Sequence, residues 1–248
     1  MLQPMRECIA SLLGFLRAEA SGWRSGEVAW LVFSAASIVS LSIFWGESVL
    51  GTVAAVTGVA YTVFAGKGKR SCFLFGLVNT PLYAWISWRN GYYGDMALNI
   101  YYFSMMVPGL MAWSRHMSGD DKGGIVRSRL SRREALFWML ALAAACLTLY
   151  AILVYFGGAR PACDAVTNVL SVAGMIFTLR RLSAQWLMWI AVDAVEIFMW
   201  LGVWLEKGAQ LSILLMWILF LLNGIYLWRV WLRSTSVFCR PEKSSLLV

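Results

Sequence analysis

One face of an apolar segment around residue 190 carries side chains suited to hold a flat or cationic ring. At 100° per residue in a helix, Trp186, Trp189, Asp193 and Glu196 fall within about 80° of one another. Indole rings stack on planar groups and attract cations to their faces. A carboxyl group beyond the indoles can accept hydrogen bonds from hydroxyl or amide groups of a ligand. This pattern predicts a binding site for a small aromatic solute.

Structural roles stay open for two of these side chains. Trp186 lies close enough to a predicted span end to be an interfacial belt residue, and Glu196 can pair with another helix. Asp193 is harder to explain structurally, because a carboxyl group in the middle of a membrane helix costs about 2.5–3.5 kcal/mol on insertion scales. We therefore expect Asp193 to contribute to binding.

Amides and tyrosines in three further apolar segments extend the candidate site. Asn79 stands in one segment, Asn99 and Tyr102 lie one helical turn apart in another, and Asn223 and Tyr226 repeat that spacing in a third. Their side chains offer hydrogen-bond donors and acceptors to a polar ligand. Buried amides also join helices to one another, so an interhelical role stays open for each.

The elements that position these residues are predicted to be membrane-spanning helices. Of 248 residues, 60% are hydrophobic and only 14% are charged, with a mean hydropathy of +0.68. Soluble domains average roughly 45–50% apolar and 25% charged residues, so lipid is the better solvent for this surface. Eight windows approach the roughly 20 apolar residues that a span needs, namely 27–46, 48–66, 71–88, 92–113, 135–157, 163–179, 184–205 and 209–232. We predict an all-α integral membrane protein with about eight transmembrane helices.

The basic residues set the predicted orientation and explain the net charge of +8 without nucleic acid. An even number of spans places both termini on one side, termed side A, together with residues 67–70, 114–134 and 180–183. The opposite side holds only Arg89, Arg160 and Lys207, which leaves 18 of the 21 lysines and arginines on side A. The positive-inside rule therefore makes side A cytoplasmic.

The sequence lacks the patterns of an enzyme or a metal protein. Its five cysteines are widely spaced, and its single histidine, His116, stands in a basic loop without a second imidazole. Phosphate-binding loops, nucleophile elbows and HExxH pairs are absent from the sequence. We expect no catalytic residues, no metal and no cofactor.

Three weak matches at nearly one offset indicate an internal duplication. Residues 58–62 match 174–178, Phe75 and Asn79 match Trp189 and Asp193, and Gly109 and Trp113 match Gly224 and Trp228. The repeated unit has three helices, and one helix separates the copies, so equivalent helices point the same way, as in SWEET-type transporters. The predicted organisation is a lead-in (1–26), an extra span (27–47), a first repeat (48–113), a basic loop (114–134), a linker span (135–157), a second repeat (158–232) and a tail (233–248).

Together these motifs resemble the PnuC family of bacterial nicotinamide riboside transporters, from about Glu47 to Trp228. The stretches that carry the resemblance are Trp186-Leu187-Met188-Trp189 with Asp193, Phe75 to Asn79, Ala112 to Arg115, Leu170 to Met175, and Leu222 to Gly224. The resemblance implies a SWEET-like 3+1+3 bundle with one extra N-terminal helix, assembled as a homotrimer in the bacterial inner membrane. It also implies facilitated diffusion of nicotinamide riboside, which a cytoplasmic kinase traps by phosphorylation for NAD synthesis.

The implied substrate suits the candidate residues. A pyridinium ring would stack on Trp186 and Trp189, and its carboxamide and ribose hydroxyls would meet Asn79, Asn99, Asp193 and Asn223. The family more often carries Asn at the position of Asp193, so this carboxyl group either favours a cation or couples transport to protons. Two other functions stay open: a carrier for another aromatic cation such as thiamine, and a membrane receptor or assembly subunit that binds without transporting.

Overall fold

The long apolar segments form helices throughout the part of the chain that the computed structural model describes, namely residues 13–44, 46, 48–89, 92–117, 124–157, 160–207 and 211–235. A short helical segment, α1, covers residues 13–20. The longer helices are α2 (Ser25–Phe44), α3 (Val49–Lys67), α4 (Cys72–Arg89), α5 (Tyr93–Ser114), α6 (Arg132–Tyr155), α7 (Pro161–Leu179), α8 (Gln185–Lys207) and α9 (Leu211–Thr235). Each predicted window coincides with one of α2–α9 to within a few residues, which confirms the all-α fold class.

Several of these helices are long and apolar enough to cross a membrane. Among the described residues, five meet that condition: α2, α3, α6, α7 and the Gln185–Gly202 part of α8. Neither α2 nor α6 has a buried residue, so their apolar side chains are available to lipid. The length, composition and exposure of these helices indicate a multi-pass membrane protein. The predicted lead-in and tail lie partly outside the described residues, at 1–12 and 236–248.

The first turn of α6 differs from the predicted boundary. The helix begins at Arg132 because Ser131 and Glu134 form a capping box: the Ser131 hydroxyl accepts from Glu134 N at 3.2 Å, and Ser131 N donates to the Glu134 carboxylate at 3.0 Å. Arg132 and Arg133 therefore belong to the helix rather than to the basic loop that the sequence predicted. The Glu134 carboxylate also pairs with Arg180 at 2.9 Å.

The chain divides into two compact units, Met1–Val126 and Arg127–Val248. In the first unit, α3 packs on α4 and α4 on α5, while α2 contacts α3. In the second unit, α7 packs on α8 and α8 on α9, while α6 contacts α7. The same order of contacts thus occurs in each unit, with one peripheral helix before three packed helices, and the division falls inside the predicted basic loop.

Local hydrogen bonds repeat at the offset found in the sequence. Thr62 donates its hydroxyl to Gly58 O at 3.2 Å, and Thr178 donates to Gly174 O at 2.9 Å. The missing side chain at each of these glycines lets a neighbouring helix approach closely. A methyl group at Gly58 would lie 2.9 Å from Nδ2 of Asn79, and one at Gly174 would lie 3.1 Å from the ring of Trp189. Under the predicted duplication, these two contacts occupy equivalent positions.

A polar contact holds α1 to the turn between α3 and α4 in the first unit. Glu19, which is only 7% exposed, accepts hydrogen bonds from Ser71 Oγ at 2.5 Å and from Ser71 N at 3.2 Å. Its carboxylate also lies 3.3 Å from Nε of Arg70. The buried ammonium group of Lys69 donates to Ala18 O at 2.5 Å, and burial lowers the pKa of Lys69 although the charge of Glu19 opposes this.

Candidate functional site

The face of α8 predicted to bind a solute contacts α7 and α9 within the second unit. Trp186 is 3% exposed and packs edge to face on Trp231 of α9, with ring centroids 5.9 Å apart. Trp189 is half-buried and rests on α7, where Gly174 leaves room for its ring. The structure therefore separates the two indoles: Trp186 is covered by α9, and Trp189 packs on α7.

Asp193 is the most deeply buried of the predicted polar residues on this face. Its side chain is 7% exposed, and its Oδ2 lies 3.7 Å from where a methyl group at Gly224 of α9 would stand. It forms no hydrogen bond or ion pair within the part of the chain that the structure describes. A buried carboxyl group without a partner is uncommon in a structural role, since buried polar groups are normally satisfied. Asp193 therefore retains acceptor capacity for a ligand.

Glu196 lies one turn beyond Asp193 on the same helix and is half-buried. Two carboxyl groups at this spacing are helical neighbours, so negative charge on either of them attracts a cation and repels an anion. Trp189, Asp193 and Glu196 thus form a continuous strip with one indole and two acidic groups. Such a strip favours a ligand that combines an aromatic ring, a positive charge and hydrogen-bond donors.

The α9 candidates differ in their relation to this strip. Asn223 is half-buried and forms no hydrogen bond with any described residue, so its amide is available. Gly224, beside it, faces Ile190 and Asp193. Tyr226 is 55% exposed and lies two residues beyond Gly224, about 200° around the helix. The structure therefore places Asn223 next to the contact with α8 and Tyr226 on the far side of α9.

Three predicted residues belong to the first unit, and the amide groups of the two asparagines already donate hydrogen bonds to the backbone. Asn79 donates Nδ2 to Ala54 O of α3 at 2.6 Å. Asn99 donates Nδ2 to Asp95 O, one turn earlier in α5, at 2.9 Å. Tyr102 is half-buried on the same helix, beside Tyr101 at 5.8 Å between ring centroids. The contact of Asn79 matches the interhelical role left open for it, although its carbonyl oxygen remains an acceptor.

Asn99 also lines an open cavity of about 300 Å³ between α4 and α5. Its walls are mainly apolar and aromatic, and the lining residues are Pro81, Ala84, Trp85, Trp88, Met96, Asn99, Ile100 and Phe103. The indoles of Trp85 and Trp88 lie 4.9 Å apart in this cavity. An indole pair next to one amide repeats, in the first unit, the kinds of side chain that the sequence predicted for the second.

Sequence reasoning missed three polar groups near the start of α8. Gln185 is 1% exposed, and the donors Nε2 of Gln185, Nε1 of Trp186 and Nε of Arg127 are buried without an acceptor among the described residues. Gln185 directly precedes the tryptophan pair, and that position was the only sequence signal. No cluster of metal-ligating side chains occurs within the described residues.

Comparisons with known proteins agree with this architecture. Residues 48–233 match the family described as nicotinamide mononucleotide transporter. The nicotinamide riboside transporter PnuC of Neisseria mucosa is 33% identical over 88% of this chain and 85% of its own length, and that of Haemophilus influenzae is 26% identical over 85% and 91%. A solved structure described as the crystal structure of the vitamin B3 transporter PnuC aligns with a TM-score of 0.78 and 32% identity, covering 91% of this chain and 98% of the other. The relatives are transporters, which confirms the prediction of a transporter rather than an enzyme, and the chain belongs to the PnuC family.

Proposed function

We propose that this protein carries nicotinamide riboside across the bacterial inner membrane by facilitated diffusion. The observation that carries the proposal is the strip of Trp189, Asp193 and Glu196, in which Asp193 is buried without a partner among the described residues. Nicotinamide riboside offers the matching chemistry: a flat pyridinium cation, a carboxamide and ribose hydroxyls. Relatives at 33% and 26% identity are named as transporters of this compound.

Each strip residue has a distinct proposed role. Trp189 rests on α7, and its indole is the group on which the pyridinium ring stacks. Asp193 accepts hydrogen bonds from ribose hydroxyls or the carboxamide and balances the positive charge. Trp186 is buried against Trp231 in this structure, so it joins the stack only if α8 and α9 separate at this end. Asn223, on α9 of the same unit, supplies a further amide.

Transport requires the strip to face one side of the membrane and then the other. We propose a SWEET-like arrangement of eight spans, a 3+1+3 parallel repeat after one extra helix, in which one repeat rocks against the other. Both termini lie in the cytoplasm by the positive-inside rule. Three chains assemble into a homotrimer, and a cytoplasmic riboside kinase phosphorylates the product so that it accumulates.

Asp193 leaves two versions of this mechanism to be separated by experiment. In the first, a permanent carboxylate attracts the cation and transport is a uniport. In the second, Asp193 or Glu196 releases a proton when the cation binds and takes one up when the cation leaves, and uptake is coupled to the proton gradient. Uptake into liposomes with and without an imposed pH gradient distinguishes them, because only the second version responds to the gradient at constant internal pH.

Calorimetry on the purified protein tests the substrate directly. We expect saturable binding of nicotinamide riboside that excess thiamine does not displace and that Trp189→Ala removes or greatly weakens. Equal displacement by thiamine would instead make the protein a carrier for that vitamin class. Binding with no flux of labelled substrate into liposomes would make it a receptor or assembly subunit. Absence of binding would refute the proposed substrate.

A further inference from the structure

A group of unsatisfied hydrogen-bond donors lies at one end of the second unit, where α8 begins. Nε of Arg127, Nε2 of Gln185 and Nε1 of Trp186 are all buried without an acceptor among the described residues. The side chains of Gln185 and Trp186 are 1% and 3% exposed, so bulk solvent does not reach them. With Trp231, on which two of them pack, these residues are termed the Arg127 cluster. Unpaired donors at such burial are rare, because each forfeits its hydration.

Backbone pairing brings the members of the cluster together. Ser128 N donates to Arg181 O at 2.9 Å, and Ser183 N donates to Ser128 O at 3.0 Å, which ties the segment after Arg127 to the turn before α8. The guanidinium carbon of Arg127 then lies 4.7 Å from the centroid of the Trp231 ring, and Trp231 contacts Trp186 at 5.9 Å. Arg127 and Trp186 thus share Trp231 as a neighbour, and Gln185 directly precedes Trp186 in the chain.

The charge of Arg127 has no carboxylate to balance it among the described residues. The acidic side chain at the start of α6, Glu134, is paired with Arg180 at 2.9 Å. The neighbouring guanidinium of Arg129 is already occupied by Leu232 O at 2.9 Å. Burial lowers the pKa of Arg127 to about 10, so it remains a cation at neutral pH. Its attraction to the face of Trp231 orients the charge but supplies no hydrogen-bond acceptor.

An acceptor for these donors must hydrogen-bond to the side chains of the Arg127 cluster, because the backbone N–H groups at the start of α8 already have partners. The first N–H groups of α8 are engaged, since Gln185 N, Trp186 N and Leu187 N donate to the carbonyls of Leu182, Ser183 and Ala184 at 3.1–3.4 Å. What remains is one cationic and two neutral donors on three different residues. A tetrahedral oxyanion suits such a set, because it carries negative charge and several oxygens that accept hydrogen bonds from different directions.

We propose that Arg127, Gln185 and Trp186 form a binding site for a phosphate group at this end of the second unit. The phosphate can belong to a soluble anion or to the headgroup of an anionic lipid, since both present the same oxygens. The site is separate from the Trp189–Asp193–Glu196 strip, whose acidic groups oppose an anion, and it does not depend on which solute the protein transports.

Thermal unfolding of the full chain in an uncharged detergent tests the site. Sodium phosphate is titrated against sodium chloride at matched ionic strength, and phosphatidylglycerol is compared with phosphatidylcholine in the micelles. We expect phosphate, phosphatidylglycerol or both to raise Tm saturably, while chloride and phosphatidylcholine do not. A response to phosphate alone identifies a soluble ligand, and a response to phosphatidylglycerol alone identifies a lipid.

Variants assign the response to the cluster. Losing a charge-assisted hydrogen bond typically weakens binding about tenfold or more, so Arg127→Gln is expected to shift the half-saturating concentration upward by that factor. Gln185→Leu, which keeps the volume but removes the amide, is expected to shift it several-fold. Arg129→Gln is the matched control, since it removes a nearby arginine that already has a partner, and it should respond as the unmodified chain does. No stabilisation by either phosphate source, or an unaltered response in Gln185→Leu and in Arg127→Gln, would overturn the site.

Discussion

Replacing Trp189 is the most direct test of the strip on α8. One side of this indole rests on α7, where its Cε2 and Cζ2 atoms lie 3.1 Å from the methyl position of Gly174. In the proposed site, the interaction lost in Trp189→Ala is a single aromatic stack with a cationic ring. Such contacts contribute about 1–2 kcal/mol, which corresponds to about a 5- to 30-fold increase in the Kd for nicotinamide riboside.

The assay is calorimetric titration of the purified protein, with thermal unfolding measured on the same samples. Trp189→Ala also removes packing against α7, so a lower Tm is expected and must be recorded separately from affinity. Trp189→Phe keeps an aromatic face and should lose less than half of the binding free energy lost by the alanine variant. Trp204→Ala is the matched control: Trp204 is 36% exposed on the same helix, about 22 Å further along its axis.

Two results would refute the reasoning. An unchanged Kd in Trp189→Ala, in protein that remains folded by its unfolding profile, would show that the indole does not contact the substrate. An equal loss of affinity in Trp204→Ala would show that the effect is a general weakening of the bundle. Either result would make the indole pair Trp85 and Trp88, which line the cavity of the first unit, the next candidate for stacking on the substrate.

Three further predictions follow from other contacts. Asp193→Asn keeps an acceptor but removes the charge, so we expect calorimetry to show about three- to tenfold weaker binding of the cation, whereas equal or tighter binding would exclude a charge role. Gly58→Ala places a methyl group 2.9 Å from the amide nitrogen of Asn79 and should cost about 1–3 kcal/mol of stability by disrupting its hydrogen bond; an unchanged Tm would contradict this packing. Glu19→Gln removes a buried carboxylate that accepts two hydrogen bonds from Ser71. It should lower Tm more than Glu27→Gln does, because the ion pair of Glu27 is more exposed.

The helices could be predicted from the sequence because each one is specified locally. A run of about 20 apolar residues must satisfy its backbone within itself in lipid, so length and composition suffice to locate α2–α9. The start of α6 was misplaced by three residues because Arg132 and Arg133 look like loop residues until the capping box of Ser131 and Glu134 is recognised. Only local hydrogen bonding, not hydropathy, decides that boundary.

The site could be predicted only in part, because side-chain partners come from distant segments. The spacing of Trp186, Trp189 and Asp193 predicts one helix face but not the helix that each side chain contacts. That Trp186 is covered by Trp231 depends on where α9 packs, 45 residues later in the chain. The unsatisfied amide of Gln185 was equally invisible, since burial at 1% exposure is a tertiary property.

The predicted duplication places Asn79 and Asp193 at equivalent positions, and the two side chains differ in hydrogen-bond chemistry. Asn79 has an N–H group, which it gives to the backbone carbonyl of Ala54 at 2.6 Å, so it joins α4 to α3. Asp193, at the matching position, is a carboxyl group that as an anion can only accept, and a backbone carbonyl at that place would repel it. It turns instead toward Gly224 of α9 and makes no hydrogen bond with any described residue. Because Asp193 makes no such bond between helices, it is a better candidate than Asn79 for holding a cation. We therefore propose a binding role for Asp193 and a joining role for Asn79.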